Sequence, residues 1–179
     1  MAQHREQPEP IRVNRAPVLT LWAAIVAEQL GHPWETALTL GRAVAGSSAQ
    51  AKARRLGIAE EKPGGKEADL AQEVRREAVP LLGRQVPVIT GRDGKVYALD
   101  HDKPASPASV RSYIERAFGD RLPEVCKAME DLARSIPPEE LNRLGFRLYE
   151  HFRPEVPDDV RGWGAKGILR LDRIRAAED

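Results

Sequence analysis

The sequence predicts a mainly α fold with one β-hairpin: a helical bundle around a buried helix, winged-helix-like in outline. Three observations carry that prediction. Residues 17–30 are apolar nearly all round at helical spacing, the mark of a helix enclosed by others. Further segments carry apolar stripes of helical period. One stretch, QVPVITGRDGKVYAL, sets β-branched runs on either side of an Asp93-Gly94 turn, the strongest hairpin signal in the chain.

In chain order, residues 1–13 lack periodicity and read as a flexible N-terminal arm. The remainder, 14–179, reads as a single compact domain: a helix-turn-helix-like unit plus hairpin over 14–99, then C-terminal helices and tail over 100–179. Pro17 suits a first helical position, where its missing N–H is no loss. Val18, Leu21, Trp22, Ile25 and Val26 then recur at helical spacing, and Gly31 ends that helix. Pro33 opens the next, with Glu35 near its positive dipole end. Its small stripe of Ala37, Leu38, Gly41 and Val44 permits close helix contact. Gly46 is expected to close it, and Ser47 or Ser48 to cap a short third helix bearing Gln50, Lys52, Arg54 and Arg55.

EEKPGGK over 60–66 is the clearest loop. A helix is expected over 67–82, with Leu70, Val74, Ala78 and Leu81 on one side and Gly83 as its stop. In the hairpin, Pro87 has no N–H for a ladder, so its strand is expected at an edge or bulged. Ser106 and Pro107 start another helix, whose Val110, Tyr113, Ile114, Ala117 and Phe118 share a face. Leu122, Val125, Cys126, Met129, Leu132, Ala133 and Ile136 make a cleaner stripe still. Pro137-Pro138 breaks the chain, and Leu141, Leu144, Gly145, Leu148 and Phe152 mark a helix ending near Pro154. Residues 167–172 read equally as a short strand or a helical turn.

Composition limits the function classes. Apolar residues make up 41% of the chain and aromatics 5%, so the core must be built mainly from Leu, Val, Ile and Ala. The 28 basic and 27 acidic residues leave a net charge of +1, so nucleic acid could be attracted only by a local patch. The single cysteine, Cys126, cannot form an intrachain disulfide, and MAQHREQPEP is too polar for a signal peptide; a cytoplasmic protein is expected. Residues 16–27, the longest apolar stretch, reach about half the ~20 residues of a membrane span, so no membrane partner is expected.

The candidate sites begin with the segment 26–57. Ala27 and Gly31 have the spacing of a helix-turn-helix, although His32 stands where an apolar residue is usual. The second helix of that unit would expose Trp34, Glu35, Thr36, Thr39 and Arg42, a poor set for reading base edges. A better surface is basic and phosphate-directed: Arg42, Ser47, Ser48, Gln50, Lys52, Arg54 and Arg55, joined by Arg92 and Lys95 at the hairpin tip. The bland alternatives are a solvated helix end and a charged tip that keeps the hairpin soluble. RGWGAKG over 161–167 brings Trp163 and Lys166 among three glycines, where a phosphate-bearing ligand could be approached closely. It lacks P-loop spacing, and Trp163 packing over a core edge is the preferred reading.

No catalytic constellation is recognised, no metal-ligand spacing occurs among His4, His32, His101 and His151, and no cofactor is expected. Cys126 lies on an apolar stripe and reads as a buried, inert thiol. From NRAPVLTLWAAIVAEQLG through ALTLGRAVAG to RGWGAKG, the chain resembles a family of bacterial proteins without an established activity. That resemblance implies no catalytic or binding residue. The first expectation is therefore a nucleic-acid-binding protein, with DNA as partner and a homodimer as candidate assembly. The alternative is a protein-interaction module without nucleic-acid binding, and an enzyme using the Gly-rich tail comes third.

Overall fold

The computed structural model describes residues 11–55, 77–100, 103–155 and 167–177, with the backbone alone for 47–55 and for residue 100. These residues form a mostly helical fold with two small antiparallel sheets. Helix α1 (Arg15–Gln29) is buried continuously from Pro17 to Ala27, as its apolar circumference requires. Trp22 is fully buried in it, and its indole Nε1 donates to the Gly145 carbonyl at 2.8 Å. The ring meets Phe152 edge to face, 5.4 Å between centroids.

Gly31, at φ 109°, turns the chain into α2 (Trp34–Arg55). A Cβ on Gly41 would overlap the Thr20 carbonyl oxygen and lie 2.9 Å from the Ala24 amide nitrogen. The two backbones therefore touch well away from their connecting turn. That is the side-by-side geometry of an αα-hairpin, not of helices diverging from a sharp turn. The expected stripe of small residues is what allows it.

Helix α2 differs from expectation in length. It runs unbroken through Gly46 to Arg55, so the third short helix capped by Ser47 or Ser48 is part of α2. A glycine inside a helix costs only about 1 kcal/mol relative to alanine, and Ala43, Ala45, Ala49, Ala51 and Ala53 around it are the strongest helix formers.

The expected helix over 67–82 also changes character where it is described. Glu77–Leu81 is strand β2, paired antiparallel with β3 (Arg84–Thr90) from Glu77↔Val88 to Leu81↔Arg84. Pro80 explains the correction, because a proline inside a helix removes a hydrogen bond and clashes with the preceding turn. Leu82 and Gly83 form the two-residue turn with φ of 52° and 79°, the left-handed pair that suits a tight hairpin. The expected helix stop at Gly83 is thus a hairpin turn.

Strand β4 (Val96–Asp100) adds the Asp93-Gly94 hairpin, and β5 (Lys103–Pro104) completes the order β2-β3-β4-β5. The single expected hairpin is one unit of a four-stranded meander. Within it β3 is an inner strand, not the edge or bulged strand inferred from Pro87. Its ladder with β4 ends at Val88↔Ala98, one residue short of the proline that has no N–H to give.

The second sheet joins the ends of the described chain. Strand β1 (Ile11–Val13), from the segment expected as an arm, pairs antiparallel with β6 (Gly167–Leu169), and Glu155 bridges Ile168 on the other side. The remaining helices fall where the stripes place them. Helix α3 (Pro107–Phe118) is capped by Ser106, whose Oγ accepts from the Ser109 amide at 3.2 Å. A 3₁₀ turn leads to α4 (Leu122–Arg134), and α5 (Pro138–Phe152) follows the proline pair. The tail is both things the sequence allowed, β6 and then α6 (Leu171–Ala176), which packs on α4 and α5. Buried residues from Ile11 to Ala177 form one apolar cluster. No described helix is long and apolar enough to cross a membrane.

Candidate functional site

The face of α2 next to β4 is built on two threonines. Thr36 Oγ1 donates to the Val96 carbonyl at 2.6 Å, and Thr39 Oγ1 donates to the Thr36 carbonyl at 2.8 Å. Thr39 Oγ1 also accepts from the Ala98 amide at 2.9 Å. Their exposures are 2% and 0%, so both are structural residues holding the sheet to the helix. The sequence placed them on an open face because threonine is polar; here each polar atom is satisfied by backbone, which is what permits burial. Trp34 is likewise packed against the core.

The remaining members of that face are charged and reachable. Glu35 pairs with Lys95 at 3.5 Å, with both side chains about half exposed, so the pair is a weak surface one. Two helical turns further on, ~10 Å along the axis, the Arg42 guanidinium lies 4.8 Å above the Tyr113 ring. Burial pushes the Tyr113 phenol upward, and Arg42 partly offsets this. Arg92 is exposed at the hairpin tip.

Asp93, which the sequence counted against a basic tip, is taken up by the turn itself. Its Oδ1 accepts from the Lys95 amide at 3.0 Å and its Oδ2 from the Tyr97 hydroxyl at 2.5 Å. The Tyr97 hydrogen bond holds the Asp93 carboxyl below the usual range, and the same bond is the main reason Tyr97 is pushed up to about 12. The tip is therefore a fixed turn that holds Lys95 beside the start of α2 and leaves Arg92 exposed.

Of the other expected contacts, Ser47, Ser48, Gln50, Lys52, Arg54 and Arg55 lie on the helical backbone of α2, whose side chains there are outside the description. Trp163 and Lys166 lie outside the described residues altogether. Sequence reading missed a separate charged cavity lined by Arg15, Glu150, Arg153, Glu155 and Arg173. Nothing in the linear pattern joins residues that far apart. Among the described residues, no group of three or more His, Cys, Asp or Glu side chains could hold a metal ion. Cys126 is half-buried, and burial, with Glu130 and Glu28 nearby, pushes its thiol up to about 11. That keeps it protonated and unreactive near neutral pH.

No family model, curated protein or solved structure matches the chain. The functional reading therefore rests on the geometry.

Proposed function

We propose that the chain binds the phosphate backbone of nucleic acid, with DNA as the first partner to test, and does so without reading base sequence. The observation that carries this reading is the continuity of α2 from Trp34 to Arg55. Its one acid, Glu35, sits in the first turn beside Lys95. Arg42, Lys52, Arg54 and Arg55 thus share a single rod ~33 Å long, with Ser47, Ser48 and Gln50 as neutral donors between them. Arg92 and Lys95 supply cations at the other end. Thr36 and Thr39 are committed to β4, which removes the middle of the face a recognition helix would need and leaves phosphate contacts as the fitting mode. A homodimer would present two such rods, and a cytoplasmic location would suit the role. Neither these features nor a winged-helix-like arrangement is required for the reading.

Fluorescence anisotropy with labelled duplexes of unrelated sequence tests it. Affinity should be equal across sequences and fall with salt, with a log–log slope of about −0.9 per phosphate neutralised. Replacing Arg54 and Arg55 together by Ala should flatten that slope by roughly two contacts. Folded protein that leaves every duplex free at ~50 mM salt overturns the proposal.

A further inference from the structure

The cavity left unused by that reading measures 410 Å³ and is lined by Arg15, Glu150, Arg153, Glu155 and Arg173. Its walls are fixed by backbone. Glu155 and Ile168 exchange hydrogen bonds of 3.1 and 2.9 Å, and β1 pairs with β6 two residues before Arg15. A Cβ on Gly167 would lie 2.7 Å from Pro154 Cβ and 2.9 Å from the Glu155 carbonyl oxygen, so strand and helix exit are in direct backbone contact. Arg15 is aimed by its Nε, which donates to the Pro154 carbonyl at 2.9 Å. Tyr149 stands beneath it, its hydroxyl donating to the Arg15 carbonyl at 3.4 Å.

The charges in the cavity do not cancel. Arg173 is paired with Glu155. Arg15 and Arg153 make no ion pair among the described residues. Burial, and then the like charge of Arg153, lower the Arg15 guanidinium from its ordinary value; the second cause places the two guanidinia within reach of each other's charge. Glu150, Arg153, Glu155 and Arg173 are all exposed, so solvent screens both signs alike, and the lining keeps an excess of one cation, three arginines against two glutamates.

We propose that this cavity binds a small phosphate monoester, gripped by Arg15 and Arg153, with Arg173 as a third cation positioned by Glu155. A phosphate monoester carries about −1.5 to −2 charge near pH 7 and three strong acceptor oxygens. Guanidinium forks at two separate points match different oxygens of one tetrahedral group. A wholly charged lining disfavours apolar ligands, and the open cleft of about 410 Å³ admits a molecule the size of a sugar phosphate. No lining residue belongs to the proposed nucleic-acid surface, so the two proposals stand or fall separately.

Titration calorimetry and thermal melting of the full chain decide the matter, with inorganic phosphate, a hexose phosphate and the free hexose as probes. The hexose phosphate should bind and raise the melting temperature, and the free hexose should do neither. Arg153→Gln changes an exposed side chain, so it should melt like the parent without ligand and bind about tenfold more weakly or worse. Glu150→Gln removes the opposing charge and should tighten phosphate binding. The double Arg54→Ala, Arg55→Ala protein should bind the hexose phosphate like the parent. The proposal is overturned if the parent binds neither phosphate at ~10 mM, if free hexose binds equally, or if Arg153→Gln and Glu150→Gln both leave the affinity unchanged.

Discussion

At Gly145 the absence of a side chain lets three elements meet. Its carbonyl takes the Trp22 indole proton from α1, and the space where its Cβ would stand is filled by Leu82 from the β2–β3 turn. Leu82 cannot easily retreat. It is 3% exposed, holds a left-handed φ of 52°, and its amide donates to Asn142 Oδ1 at 2.8 Å, while Asn142 Nδ2 donates to the Pro80 carbonyl at 3.2 Å. A leucine in that conformation is strained, and its burial against Gly145 is what offsets the strain. Gly145→Ala should therefore destabilise the protein by about 1–3 kcal/mol through overpacking. Helix propensity alone would predict the opposite sign. In a Leu82→Ala background the same change should be nearly neutral, because the overlapping atoms are gone. Denaturant melts of the four proteins give the coupling directly. Strict additivity would show that Leu82 is not what Gly145 accommodates.

The clamp between α2 and β4 shows how much an element hides from its own sequence. Helix α1 was legible because its apolar residues fill every side, and the Asp93-Gly94 hairpin because turn chemistry and β-branched runs agree. Strand β2 was not, since Ala78 and Leu81 fit a helical stripe as well as a strand, although Pro80 is incompatible with a helix interior. Thr36 and Thr39 were unreadable as core, because their burial depends on backbone groups of β4 some sixty residues away, with separations of 60 and 59. The candidate surface was legible only as composition: a run of cations without acids. Its continuity on one helix came from alanines that outlast Gly46. Thr39→Val tests the clamp. Valine keeps the branched shape but leaves the Ala98 amide without its acceptor in a buried position, which should cost about 1–3 kcal/mol. Hydrogen exchange at Ala98 should quicken well beyond the global change. Loss below ~0.5 kcal/mol would mean the amide finds another acceptor.

For the whole molecule, the β1–β6 sheet and α6 carry the consequence that sequence periodicity could not express. Three-residue strands and a six-residue helix have no stability by themselves. They persist because Ile11, Val13, Leu169, Leu171 and Ile174 enter the same apolar cluster as Trp22. The charged cavity depends on this closure too, since Arg15 follows β1, Glu155 bridges β6 and Arg173 rides on α6. A protein closed in this way should unfold as one unit, with the tail no less cooperative than the central helix. Ile174→Ala, at a fully buried position in the last described helix, tests this far in sequence from α1. It should lower the unfolding free energy by about 2–5 kcal/mol, and tryptophan fluorescence and far-ultraviolet ellipticity should still move through one shared midpoint. With Trp34 and Trp163 replaced by Phe in both proteins, Trp22 alone reports from α1, and its signal shifts only if loss at α6 is felt across the core. If ellipticity falls early while the fluorescence midpoint stays at the parent value, the C-terminal segment is a separate folding unit and the single-core description fails.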